Sequence, residues 1–284
     1  MPWVHHSIPA LAETFSLHTV SDRMRRFSQF LFPFVLLAAA LLRADEPGED
    51  ALPPPPDPLA GSPAPLAAAI RKYGEDVERW AWVQHEVHYD KQGKVSEERL
   101  LRFDPSQPYE QQWTLLKKNG HDATPEQVEA YRKQRLKRMK DRKTLGELLE
   151  VKSATVAAES PEAITYEVPL RRQGNDRLPP DKFQVLVLID RARQEFISAE
   201  VKLREPLRIA LIGKVKKAGA LLSFTPQDPR FAPPLTGIKA DGSGSILFVP
   251  VSASYDLTRT ELRRVKPYSE RFVVRPGKIH FLDY

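Results

Sequence analysis

Cysteine is absent from all 284 residues of this chain. Its absence excludes disulfide frameworks, thiolate zinc sites, iron–sulfur clusters, thiol nucleophiles and a lipid-modified N-terminal cysteine. Glycine is scarce beside proline, 13 against 26, so the proline excess has to be localised before it carries meaning. Long apolar runs are reduced to one. Neither a Gly-x-Ser-x-Gly elbow, a Gly-x-x-x-x-Gly-Lys-Ser/Thr loop nor a Gly-x-Gly-x-x-Gly fingerprint occurs, which removes three common signatures of hydrolases and nucleotide binders. Charge is not lacking: 43 Lys and Arg stand against 37 Asp and Glu, a net +6, and 41% of residues are apolar. That composition supports a core accompanied by solvated segments.

The single apolar run is Phe30–Leu42, behind Arg25-Arg26 and ahead of Arg43-Ala44-Asp45-Glu46. A short positive region, an apolar stretch and a small residue before an acidic start make residues 24–44 a secretory signal peptide. A spanning helix needs about 20 apolar residues, and Pro33 interrupts this run. An uncleaved membrane anchor is the alternative. Cleavage is expected after Ala44, with Ala40 as the second choice, and the product is expected to be exported, in the periplasm. Met24 stands where a signal peptide begins, so residues 1–23 read as a non-native upstream extension. A peptide spanning Trp3 to Arg23 in the unprocessed precursor would refute that start.

Residues 45–65 hold eight prolines: Pro47, Pro53 to Pro56, Pro58, Pro63 and Pro65. Such a stretch favours extended polyproline geometry and reads as a tether, or else as a ligand for a polyproline-binding domain. Residues 66–284 read as one domain. Leu66–Tyr73 has helical spacing, with Gly74 expected to weaken or end it. Strands are expected at Trp80–Tyr89, Glu97–Phe103 and Gln112–Lys117, the last closing on the turn dipeptide Asn119-Gly120. Thr124-Pro125-Glu126-Gln127 then starts a helix through about Arg142, and a shorter helical piece follows at Leu145–Leu149. From Lys152 the chain reads as a succession of strands: Ala154–Ala158, Ala163–Leu170, Phe183–Ile189, Phe196–Arg204, Arg208–Lys214, Ala220–Thr225, Leu235–Ala240, Ile246–Tyr255 and Arg263–Val274. Asp241–Gly244 is expected as a hairpin loop, and the consecutive apolar residues of Val185–Ile189 as a strand covered on both faces.

No set of residues converges on a catalytic centre, so the chain is not expected to be an enzyme. His85 and His88 point to opposite faces of one strand, which argues against a shared metal. No cofactor is implied. The helix after Pro125 is strongly basic, carrying Arg132, Arg135, Lys137 and Arg138 among others. Export argues against nucleic acid, which leaves an anionic membrane surface or anionic groups as the counter-surface, or simply a solvated helix. Trp80 and Trp82 share one strand face, as do Trp113 and Leu115. Together with Val185 and Val187 they are the candidate apolar contacts, either as plain core or as a ligand-binding face.

The order helix, three strands, helix, long meander resembles the exported lipoprotein-carrier superfamily typified by LolA and LolB. The run Leu100-Leu-Arg-Phe-Asp-Pro-Ser106, with Trp113-Thr-Leu-Leu116, Asn119-Gly120 and Thr124-Pro125, is also similar to a group of exported bacterial proteins of undefined activity. The resemblance implies an α+β fold: a strongly curved antiparallel sheet, an incomplete barrel, covered by one or two helices. It also implies a non-catalytic carrier of a lipid or an acylated protein in the cell envelope. The alternative is an envelope protein-interaction or signalling module on the same fold.

Overall fold

A computed structural model describes residues 57, 59–140, 148–172, 179–209, 213–246 and 249–271. The expected upstream extension, the expected signal peptide and most of the proline-rich segment lie outside the described residues.

Helix α1 spans Ala64–Asp76 and buries Leu66, Ala67, Ala69 and Tyr73 along one side. Pro65 sits in its first turn, where a missing N–H costs no hydrogen bond. The expected stop at Gly74 is not taken. Tyr73 and Val77 on either side are both buried, and their packing outweighs the roughly 1 kcal/mol that a helical glycine costs. Ahead of the helix, the Asp57 carboxylate meets Arg71 at 3.1 Å and Leu59 packs on the core, so the end of the proline-rich segment belongs to the fold.

Strands β1 (Trp80–Tyr89), β2 (Val95–Phe103), β3 (Trp113–Lys118) and β4 (His121–Asp122) form a meander. Asn119 and Gly120 turn β3 into β4 with φ of 50° and 81°, the pair of left-handed residues that a tight hairpin demands. Helix α2 (Pro125–Lys140) follows. Its start is a reciprocal cap: the Gln127 N–H donates to Thr124 Oγ1 (3.3 Å) and the Thr124 N–H to Gln127 Oε1 (3.1 Å), as the sequence spacing requires. The short helical piece expected at 145–149 falls mostly outside the described residues, and Leu149 makes a lone bridge to Leu170. Then come β5 (Thr155–Glu159), β6 (Ala163–Glu167), β7 (Phe183–Asp190), β8 (Glu195–Leu203), β9 (Leu207–Ile209), β10 (Gly213–Phe224), β11 (Leu235–Ile246) and β12 (Val249–Arg264).

All twelve strands belong to one open antiparallel sheet of order β4-β3-β2-β1-β12-β11-β10-β8-β7-β6-β5, with β9 added on β10. The first strand pairs with the last. The two ends of the sheet are therefore β4 and β5, and the connection between them carries α2. A sheet of this width accumulates too much twist to stay flat. Bulges in the β1–β12, β2–β3, β7–β8 and β10–β11 ladders bend it further. The result is the open, curved sheet of an α+β fold.

Three sequence expectations are corrected. Asp241–Gly244 lies inside β11, each residue paired with both β10 and β12. Val185–Ile189 is covered on one face only: burial alternates along β7, with Val185, Val187 and Ile189 in and Leu186 and Leu188 half-exposed. Arg263 starts no new strand but closes β12. Pro250 does fall within that strand, at a point where β12 has β11 beside it and β1 has not yet begun to pair, so no ladder bond is lost on the open side.

Register places the buried residues on one face. A line across the sheet runs Tyr166, Val187, Ala199, Leu222, Ile238, Leu257, then Glu86 and Arg99. A parallel line ends Leu257's neighbour Arg259, then Gln84, Leu101, Leu115. Both helices pack on this face, α1 against β7 and β8 and α2 against β3. Two apolar clusters result. The larger lies under α1, from β6 to β12; the smaller, with Trp80, Trp82, Leu101, Trp113, Leu115 and Tyr131, lies under α2.

Candidate functional site

The covered face is apolar for six strands and then turns polar at β12, β1 and β2. Gln84 and Arg259, directly opposed in the ladder, are only 2% and 6% exposed. The Arg259 Nε donates to Gln84 Oε1 (3.1 Å) and its Nη1 to the Leu235 carbonyl (3.4 Å). Its guanidinium lies 3.9 Å from the centre of the Trp82 ring, a stacking that favours a desolvated cation. Gln84 Nε2 in turn donates to Glu86 Oε1 (2.6 Å). Arg99 grips Glu97 through two bonds (3.1 and 2.6 Å) and approaches Glu86 at 3.7 Å.

Among the described residues no carboxylate lies within ion-pair distance of Arg259. Burial pulls its pKa down to about 10, and the nearby like charge of Arg135 pulls the same way against Tyr73, Tyr255 and Glu86. It still carries its proton at neutral pH. The Tyr255 hydroxyl is pushed well above its ordinary value by burial, then by Glu86. For Glu97 burial works upward, but the Arg99 hydrogen bond and charge, with Lys118, hold it below the usual carboxylate range. Arg99 thus meets Glu86 and Glu97, while Arg135 and Arg259 lie close enough to oppose one another, an excess of positive charge in a place with little water. A buried charge of this kind makes the cluster a candidate functional site.

The sequence candidates divide between the two clusters. Val185 and Val187 lie in the cluster under α1, while Trp80, Trp82, Trp113 and Leu115 lie in the one under α2; all six are buried. The basic helix turns part of its charge inward. Arg132 donates from Nε to the Trp113 carbonyl (3.1 Å) and from Nη2 to Thr114 Oγ1 (3.4 Å). Arg135 stacks 4.0 Å over Trp113, and its buried Nε has no hydrogen-bond partner among the described residues. Lys137 is exposed, and Arg138 follows it in the same helix. Gln84, Glu86 and Arg259 were not singled out from sequence. The period-two set Tyr255, Leu257, Arg259 was the available signal, hidden because the strand was expected to stop at Tyr255.

Two cavities adjoin Tyr73. One lies beneath α1 and is lined by Leu66, Ile70, Tyr73, Val187, Phe196 and Phe224 among others, with no polar surface exposed to it. It offers about 20 Å³ to the centre of a water molecule. The second, about 10 Å³ by the same measure, is bounded by Tyr73, Asp76, Trp80, Trp82, Pro233 and Arg259. Asp76 accepts on both oxygens there: Oδ1 from Arg264 Nη1 (2.7 Å) and Oδ2 from the Ala232 N–H (2.8 Å). The same bonds pin the C-terminal end of α1 to β12 and to the loop before β11.

No helix among the described residues is long and apolar enough to cross a membrane. Neither a protein-family model nor a curated protein matches the chain. Among solved structures it is similar to the crystal structure of a DUF1329 family protein from Desulfovibrio piger, at 11% identity over 73% of this chain and 93% of that chain, with a TM-score of 0.31. A likeness at that level assigns neither a family nor an activity.

Proposed function

We propose that this chain is an exported, non-catalytic carrier of the bacterial cell envelope that holds the acyl chain of a lipid or an acylated protein between α1 and the covered face of the sheet. One observation carries the reading. An apolar sheet face six strands wide is roofed by a single amphipathic helix, and the gap already present beneath that helix is lined by carbon alone. About 20 Å³ is room for one water, not for a hydrocarbon tail. Cargo therefore enters by displacing α1 rather than by filling a ready-made tunnel.

The energies are compatible with such an exchange. Leu66, Ala69, Ile70 and Tyr73 of α1 supply burial on the order of 8 kcal/mol, and a twelve-carbon tail at about 0.8 kcal/mol per methylene supplies a similar amount. The exposed part of α2 gives the carrier a basic surface for anionic membranes. Titration of the purified chain with pyrenedodecanol, an uncharged acyl probe, tests the reading. Saturable one-to-one binding is expected. Partition without saturation, as to any protein surface, would remove the carrier.

A further inference from the structure

The cavity bounded by Trp80, Trp82 and Arg259 is walled by side chains rich in hydrogen-bond donors. Trp80 Nε1 and Trp82 Nε1 are both buried without a partner among the described residues. An indole N–H can only donate, and so can a guanidinium. The one carboxylate in the wall, Asp76, already accepts on each oxygen, from Arg264 and from Ala232. Leaving a buried donor unmatched is costly, so two neighbouring indoles beside a cation with no carboxylate in ion-pair distance among the described residues are an expensive arrangement. Tyr73 forms part of this wall and part of the wall of the apolar gap under α1. The polar seat and the hydrocarbon seat are adjacent.

We infer that this cavity is the seat of a carboxylate, and that the cargo is an acyl chain ending in a free carboxylate, its tail under α1 and its head on Trp80, Trp82 and Arg259. The inference rests on the carrier reading and specifies its ligand. A carboxylate is an acceptor only, with two oxygens able to take several bonds. It matches the donor set and neutralises the excess charge that Arg135 and Arg259 share. An alcohol head would bring a further donor. At about 10 Å³ the cavity, like the gap beside it, takes the head only as α1, which supplies Tyr73 to its wall, moves aside.

The test compares pyrenedodecanoate with pyrenedodecanol on the full chain, at a pH where the acid is ionised, and follows the indole N–H resonances. The acid is expected to bind about tenfold or more tighter than the alcohol, as charge-assisted bonds in a desolvated site allow. The Trp80 and Trp82 indole protons are expected to move downfield with the acid and not with the alcohol. Trp80→Phe and Trp82→Phe keep an aromatic ring and delete the donor; each is expected to reduce the acid's advantage over the alcohol several-fold. Equal affinity for the two probes, with the indoles unmoved, would overturn the carboxylate seat and leave the carrier standing. Acetate shifting the indoles as strongly as the long-chain acid would also overturn it, by showing an anion site unconnected to the apolar gap. If neither pyrene probe binds, the carrier reading itself fails.

Discussion

Gln84 is an uncharged side chain holding two charged ones in place. Its amide oxygen accepts from Arg259 Nε and its amide nitrogen donates to Glu86 Oε1, so a neutral group transmits the pairing that Arg259 and Glu86 do not make directly. Its 2% exposure means that water cannot take over either bond. Gln84→Leu preserves volume and deletes both. It strands a cation and a carboxylate in the interior, each losing a charge-assisted bond, at a cost of about 2–4 kcal/mol. Urea denaturation should show the midpoint falling with little change in slope. A midpoint within error of the parent would mean that the cluster is solvated and that Arg259 is not the desolvated cation its surroundings indicate.

At the scale of elements, legibility followed how local each signal was. Trp80–Tyr89 is dense in aromatic and β-branched residues and is a strand over that whole range. The cap of α2 was readable because Thr124, Pro125 and Gln127 satisfy one another within four residues. Asp241-Gly-Ser-Gly244 was misread because its residue types favour turns wherever neighbours do not decide otherwise. Here they do: a Cβ at Gly244 would stand 2.1 Å from the Lys214 carbonyl oxygen, so glycine is required by the close approach of β10 and β11 and not by a turn. Arg259 was illegible for a related reason. Nothing local shows that its side chain points at the Trp82 ring, because the register that brings β12 against β1 joins residues some 175 apart in the chain. Gly244→Ala forces the two backbones apart, since the obstacle is a carbonyl and not a side chain that can swing away. A loss of about 1–3 kcal/mol is expected, with the neighbouring β11 amides exchanging faster. A fully stable alanine variant with unchanged exchange would show that the ladder is looser than its spacing implies.

The whole molecule combines a continuous sheet with a roof fastened at one end. Strands β1, β10, β11 and β12 each pair on both sides and can open only with the fold. Helix α1 is attached differently: bonds from Arg264 and Ala232 to Asp76 secure its C-terminal end, while the Arg71–Asp57 pair nearer its middle is exposed. Exposed pairs contribute little. A helix so held can swing about Asp76 at less than the cost of global unfolding, and local opening of this kind is read by native-state hydrogen exchange. Amides of residues 64–72 should exchange at a free energy well below that of β11 and β12. Since the gap beneath α1 is too small for a tail, saturating pyrenedodecanol should lower α1 protection further while raising that of β7 and β8, whose inward residues the tail then covers. Exchange of α1 in step with the central strands, with or without the probe, would close the only entrance that the carrier mechanism leaves to its cargo.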